Sequence, residues 1–395
     1  MAKIRVPGFQ FAGVACGIKK SKKKDLALIF SDRPATAAAI FTTNRVKAAP
    51  VLVGMKRIRR GMVQAIVINS GNANACTGSK GVQDAEAMCR QVAFRLGVDP
   101  KLVFPSSTGL IGMPLPMSKV RGGIEKATAL LSPQSFSQAA EAILTTDRFS
   151  KVSSTWCNIG GQRVVVVGMA KGAGMVAPRM ATMLAYILTD AAVQSRCLQR
   201  LLSRAANETF NCITVDGDSS TNDTVLFLAN GVAGNRVIAL GSKEEQVLFE
   251  VAKKVMKDLA LKLVKDGEGA TKLVEIRVER SRSVADAKKI AYAVANSLLV
   301  KTAFFGADPN LGRIMAAIGY AGVRIEPSKI GVSFDRVHAV RNGIVLNANE
   351  RKASRVLRRP SFKVCINLGQ GKESASVWTS DLSYEYVRIN SAYRT

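Results

Sequence analysis

Histidine is almost missing from this chain of 395 residues; His338 is the single one. One imidazole cannot serve both a triad and a metal site, and Val337 and Ala339 beside it suit an ordinary structural position. There are seven cysteines, an odd number, and no two stand in a CxxC pair. That argues against the usual zinc site and against a disulfide scaffold, so reduced thiols and no bound metal are expected. No apolar run approaches the ~18 residues that span a bilayer. The opening residues, Met1 to Gly8, carry no apolar signal region. A soluble, cytoplasmic protein with no membrane partner is the expectation. Acidic residues are scarce as well: 29 against 57 Lys and Arg give a net charge of +28. Such a field attracts anions. The basic runs Lys19–Lys24, Lys56–Arg60 and Arg351–Arg359 lack interleaved aromatics, and no nucleic-acid module accompanies them, so nucleic acid is not an expected partner. Repeats and low-complexity tails are absent.

What is present centres on Lys171-Gly-Ala-Gly-Met-Val-Ala-Pro-Arg-Met-Ala181-Thr182, followed by the apolar Met183–Leu188. Gly172 and Gly174 permit positive φ and close packing. Pro178 favours extended backbone before it. A threonine where such a loop meets a buried segment is odd for packing alone. Its hydroxyl becomes a nucleophile when a base activates it, and one such base is the α-amine of the same residue, freed by cleavage of the preceding bond. The plain alternative is a glycine-rich loop entering a core strand.

Along the chain, Ala37–Thr42, Met62–Asn69, Arg163–Val167, Met183–Leu188 and Lys272–Arg280 read as strands. Gln83–Leu96 reads as a helix closed by Gly97. Ser132–Leu144 reads as a helix with Ser132 as N-cap and Pro133 at N1. Asp190 is placed to cap a helix over Ala191–Arg204. Glu244–Lys265 and Ser283–Asn296 are further helices. Three loops are rich in small and polar residues. Ser70–Gly78 follows a buried strand, where a site or a long turn are both at home. Ser107-Thr108-Gly109 offers backbone N–H groups and a hydroxyl suited to an oxyanion hole. Thr214–Thr224 is dense in oxygen atoms but lacks the spacing of a calcium loop. Glu268, between two glycines, is a turn residue or a partner for an ammonium group. The apolar, aromatic C-terminal segment suggests a docked end.

Taken together these segments resemble the ornithine acetyltransferases (glutamate N-acetyltransferases) of the cyclic arginine pathway. The resemblance rests on Asn69-Ser-Gly-Asn-Ala-Asn-Ala-Cys-Thr-Gly78, Ser107-Thr-Gly109, Thr145-Thr-Asp147, Ala170-Lys-Gly-Ala-Gly-Met175, Met180-Ala-Thr-Met-Leu184, Val215-Asp-Gly-Asp218, Asp266-Gly-Glu-Gly269, Asp308-Pro-Asn310 and Asn390…Tyr393-Arg-Thr395, in that order along nearly the whole chain. It implies an α/β architecture, layered helices on central mixed sheets, of N-terminal-nucleophile type. It implies self-cleavage between Ala181 and Thr182 into residues 1–181 and 182–395, which stay associated, as α2β2. Thr182 is then the nucleophile. Its α-amine, with a reference pKa of about 7.7–8.0, can take the hydroxyl proton.

The resemblance further implies a ping-pong reaction. Thr182 takes acetyl from N2-acetylornithine and passes it to glutamate, with Thr108 and Gly109 holding the oxyanion. It carries substrate contacts over to Thr145, Lys171, Thr182, Glu268, Asn390 and Thr395, with Thr146 leaving the Thr145 assignment open by one. Lys171 would meet a carboxylate and Glu268 an ammonium. No cofactor is implied, and acetyl-CoA is a candidate co-substrate. Arg179 before Met-Ala-Thr and Leu311 after Asp-Pro-Asn depart from the family pattern. A related class, N-terminal-nucleophile aminopeptidases, is the alternative; it needs only water where the transferase needs glutamate.

Overall fold

The computed structural model describes residues 4–177 and 183–392. Its first sheet comprises β1 (Phe9–Val14), β2 (Leu26–Phe41), β3 (Met62–Asn72), β4 (Val103–Leu110), β5 (Lys151–Ile159), β6 (Gln162–Lys171), β7 (Leu184–Thr189) and β8 (Thr224–Ala229). The order is β4-β3-β2-β8-β7-β6-β5, with β1 beside β2. The β3/β4 and β7/β8 pairs are parallel and the others antiparallel. Six helices accompany these strands among the described residues: α1 (Ala49–Arg57), α2 (Gly78–Leu96), α3 (Met117–Ala129), α4 (Phe136–Ala142), α5 (Ser195–Glu208) and α6 (Lys243–Lys265).

The central strands are apolar throughout because both of their faces are covered. Val166, Ala185, Ile187, Val225 and Phe227 pack with α5 and α6. The alternate residues Val167, Met169, Leu184, Tyr186, Leu188 and Leu226 point the other way. There they meet Ile29, Ile66 and Ile68 of β2 and β3. The long strand β2 makes this possible. Leu26–Phe30 pairs with β3; after an irregularity, Thr36–Phe41 pairs with β8. One strand thus belongs to both halves of the sheet. α2 and α3 cover Leu26, Leu28, Ala65 and Val67 on the outside of the β1–β3 half. The result is helix, sheet, sheet, helix.

A second sheet of order β12-β11-β10-β13-β9-β14 follows. It uses β9 (Leu273–Ser281), β10 (Gly331–Phe334), β11 (Val337–Arg341), β12 (Ile344–Val345), β13 (Ser361–Asn367) and β14 (Glu373–Ser380). Only its β9/β13 pair is parallel. Its own core packs against α7 (Val284–Asn296), α8 (Leu298–Phe305), α9 (Leu311–Gly319) and α10 (Glu350–Leu357). The chain then returns as α11 (Tyr384–Ala392).

The α/β reading with mixed, helix-covered sheets holds. Several local readings are corrected. The helix expected over Ser132–Leu144 is only α4, because Ser132 N–H and carbonyl pair with Phe11 instead. Asp190 does not cap a helix; its Oδ1 accepts Val165 N–H at 2.7 Å, and α5 starts later, after Gln194. α2 starts five residues before Gln83, at Gly78. α11 buries no residue, yet its side chains dock it: the Tyr384 ring meets Phe305 edge-on and Asn390 Nδ2 donates to Glu268 Oε2 at 2.9 Å. The expected cleavage position is 181–182. β6 before it pairs with β7 after it, and β2 pairs with β8.

Candidate active site

Strands β4 and β6 end, and β7 and β8 begin, around one cleft. Its wall includes Thr108, Gly109, Thr145, Thr146, Lys171, Glu268 and Asn390, which the sequence singles out. Thr182, Ala181, Arg179 and Thr395 lie outside the described residues. The residue after Thr182 is described. Met183 N–H donates to Asp223 Oδ1 at 3.1 Å, and Met183 carbonyl accepts from Thr224 N–H at 3.1 Å.

Thr108 and Gly109 stand at the end of β4, against Ser70 and Gly71 of β3, where the register slips. Such slips re-aim backbone groups at strand ends. Gly109 has φ +133°, and a Cβ there would collide with the Gly71 carbonyl carbon and Asn72 nitrogen. Only glycine fits. Gly109→Ala is expected to push β4 off β3 and to lower kcat by roughly 10²–10³, the scale for losing one oxyanion donor. Steady-state kinetics with an unchanged far-UV spectrum would check it; wild-type kcat would overturn the oxyanion role that the resemblance implies for Gly109.

Lys171 is the last residue of β6 and is buried. Its Nζ donates to Thr108 Oγ1 at 3.1 Å. Burial lowers its pKa, with Asp147 opposing and Lys151 adding to the shift. Burial alone would raise the Asp147 carboxyl; Lys171 and Lys151 outweigh it and hold the group well below the usual carboxylate range. Asp147 Oδ1 accepts Gly172 N–H at 2.7 Å and Oδ2 accepts Thr145 N–H at 2.9 Å. The Thr145 loop and the Lys171 strand end are thus pinned to one carboxylate. Lys151, wholly buried, bridges Asp147 to Asp266.

The glycine-rich loop is held from the opposite side. Asp216 accepts Met175 N–H and Val176 N–H at 2.7 and 2.8 Å. Burial pushes its carboxyl up to about 6. Gly174 passes so close to Glu268 that a Cβ would stand 2.6 Å from Oε2. Glu268 N–H donates to Ala173 carbonyl at 2.8 Å, and its Oε2 accepts from Asn390 Nδ2 at 2.9 Å. Asn390 therefore ties α11 to the cleft.

The Asn69–Gly78 loop has a different task. Asn69 Nδ2 donates to Asn72 carbonyl, Asn72 Nδ2 to Met113 and Pro114 carbonyls, and Asn74 Nδ2 to Gly81 carbonyl. Its amides hold backbone in place. Asn310 likewise accepts Arg313 N–H as the N-cap of α9, which Leu311 opens. Among the described residues no group of three or more His, Cys, Asp or Glu is placed to hold a metal. No helix among them is long and apolar enough to cross a membrane.

Asp147, Lys151, Asp216, Asp223 and Asp266 were not expected as site residues. Asp147, Asp216 and Asp266 each fall inside a motif segment, and Asp147 and Asp266 stand close in sequence to the expected Thr145 and Glu268.

A sequence model of the ArgJ family matches residues 10–395. The arginine biosynthesis bifunctional protein ArgJ of Geobacter sulfurreducens is 50% identical over 99% of this chain and 100% of its own. That of Caldanaerobacter subterraneus is 47% identical over 100% of this chain and 98% of its own. The crystal structure of arginine biosynthesis bifunctional protein argJ from Bacillus halodurans, 37% identical, superposes with a TM-score of 0.51 over 53% of this chain and 98% of that one. The chain belongs to the ArgJ family.

Proposed function

We propose that this cleft moves an acetyl group from N2-acetylornithine to glutamate, as an arginine-biosynthesis acetyltransferase. The observation that carries the reading is the convergence of Thr108, Gly109, Lys171 and Glu268 on one cleft. Thr182 Oγ attacks the acetyl carbonyl, its own α-amine taking the proton. The Thr108 and Gly109 donors face the developing oxyanion. Ornithine leaves with that proton, and the α-amine of glutamate then attacks the acetyl-threonine. Lys171 offers an ammonium to a substrate carboxylate, and Glu268 with Asn390 offers a carboxylate to the ornithine ammonium. Thr145 and Thr146 both face the cleft, so either hydroxyl can meet substrate.

The nucleophile is made by self-cleavage at Ala181–Thr182. The strand pairs β6/β7 and β2/β8 would hold the pieces 1–181 and 182–395 together afterwards. The solved Bacillus halodurans chain, about half as long as this one, supports the division. Acetyl-CoA is a second acetyl donor in this reading, which would give the chain two activities; the relatives are described as bifunctional.

Purified protein is expected to release ornithine from N2-acetylornithine only with glutamate present, and to form N-acetylglutamate in equal amount. Release of free acetate without glutamate would replace the transferase reading with the hydrolase alternative.

A further inference from the structure

Acetyl transfer from N2-acetylornithine makes no use of the basic run Lys19–Lys24, yet the fold sets that run beside the cleft. Asp25, wholly buried, shapes the turn. Its carboxylate accepts Cys16 N–H at 2.7 Å, Gly17 N–H at 3.1 Å and Lys19 N–H at 3.0 Å. Lys22 N–H closes on the Lys19 carbonyl, and Lys22 itself has φ +58°. Lys119 on α3 donates to the Gly17 carbonyl at 2.8 Å. Packing then fixes the turn against the site. A Cβ on Gly71 would stand 3.0 Å from Lys19 Cγ, and one on Gly109 would stand 2.3 Å from the Gly71 carbonyl carbon. The turn, the end of β3 and the end of β4 are thus stacked in close contact, and Gly109 lines the cleft. Burial lowers the Lys19 pKa to about 8, with Lys171 and Lys23 adding to the fall and Asp25 and Asp147 opposing it. Lys19 therefore lies within the electrostatic reach of two residues of the site.

The lysines divide into two groups. Lys19 Nζ donates to the Lys24 carbonyl at 2.7 Å, and Lys24 Nζ pairs with Glu141 at 2.7 Å, so these two brace the turn. Lys20, Lys22 and Lys23 are exposed, and none of them pairs with a carboxylate among the described residues. Asp25 and Glu141 are already engaged. Three unpaired ammonium groups on a fixed turn suit an anion of several charges, and lysine holds phosphate as a point charge.

We propose that this turn seats the phosphates of acetyl-CoA while its thioester enters the cleft at the Gly109 wall. The inference rests on the reading that acetyl-CoA is a second acetyl donor. N2-acetylornithine carries its carboxylate a few bonds from its acetyl group, so a cation inside the cleft can meet it. Acetyl-CoA carries its ribose phosphate and diphosphate at the far end of a pantetheine arm, which is as long as about four residues of extended chain, ~14 Å. The Lys19 turn stands about two interstrand spacings from the Gly109 backbone, roughly 10 Å. The arm spans that gap. The two donors then share one acetyl position and use separate anchors.

The test is steady-state formation of N-acetylglutamate, first with acetyl-CoA and then with N2-acetylornithine as donor. Lys20→Gln, Lys22→Gln and Lys23→Gln made together are expected to raise KM for acetyl-CoA roughly tenfold, the scale for three exposed charge contacts, and to leave KM and kcat with N2-acetylornithine unchanged. Wild-type kcat/KM for acetyl-CoA should fall with added KCl, and the triple variant should lose most of that slope. Arginine at the same three positions is expected to keep wild-type values. Arg351→Gln, Arg355→Gln and Arg358→Gln on α10 remove the same charge elsewhere from a chain of net charge +28, and are expected to change neither KM. A wild-type KM for acetyl-CoA in the lysine variant would overturn the proposal. So would an equal rise in both triple variants, which assigns the effect to the overall field, or an equal rise for both donors. A wild-type enzyme that forms N-acetylglutamate from N2-acetylornithine and none from acetyl-CoA removes the second-donor reading itself, a result distinct from any failure of the turn.

Discussion

Thr182→Ala is expected to remain one uncut chain and to lose acetyl transfer, by on the order of 10⁶ in kcat, the scale for removing the nucleophile from a unit that acts together. Two losses coincide in that variant. Without the hydroxyl nothing attacks the Ala181 carbonyl, so no α-amine is freed. Without the α-amine no base would serve a nucleophile even if one were supplied. The folded frame should survive, because Met183 and Leu184 on one side and Lys171 on the other are fixed by strand bonds that do not involve position 182. Thr182→Ser is the informative companion. It keeps the hydroxyl and is expected to cut and to transfer at a reduced rate, since serine has an extra rotamer freedom that threonine lacks. Intact mass and the glutamate-dependent assay report both steps separately. A Thr182→Ala chain that still splits at 181–182 would place the nucleophile elsewhere and undo the reading of the cleft.

How far the sequence carries this picture depends on the range of the forces involved. α6 is legible because Leu248, Ala252, Val255, Leu259 and Leu263 recur at helical spacing behind the Ser242 cap. α7 is legible for the same reason, with Ser283 accepting Asp286 N–H. The Asp190 cap fails because a capping pattern is local and the carboxylate is claimed by Val165, on the neighbouring strand. Ser132 fails likewise, claimed by Phe11. In the cleft, Thr108, Gly109, Lys171, Glu268 and Asn390 were reached through family motifs, and composition alone would have left them as turns. The residues that hold the site together were not reached. Lys151 meets Asp266 115 positions away, and Asp216 meets Met175 41 positions away. Those pairings exist only once the sheet has brought strand ends together, and no spacing encodes them.

Lys151→Met tests that hidden layer and is expected to cost roughly 3–5 kcal/mol of stability, the range for removing one partner of a buried ion pair. The side chains of Lys151, Asp147 and Asp266 have no exposure at all. Arg148 also reaches Asp266, at 3.1 Å, but its own side chain is more than half exposed. Methionine fills the volume of lysine yet leaves two enclosed carboxylates short of a cation. Lys171, which helps to lower the Asp147 carboxyl, remains as a second cation for that group. The loss should depend on pH in a definite direction. Asp147 is depressed in the folded wild type, so its contribution is present above the unfolded carboxyl pKa of about 3.9 and is lost as pH falls through the folded value. The gap between wild type and variant should therefore be full near pH 7 and narrow below about pH 4, where carboxylates in the variant take protons. Function should follow stability by a different route. Asp147 positions Gly172 and Thr145, so a loosened carboxylate shifts both walls of the cleft, and kcat should fall by roughly 10²-fold even where the variant is fully folded. Urea unfolding at pH 7 and at about pH 3, with kinetics at pH 7, separates the two. Wild-type stability at pH 7 would mean that Asp147 and Asp266 do not depend on Lys151 for their charge, and the strand ends would then need another account of what keeps them in register with the nucleophile.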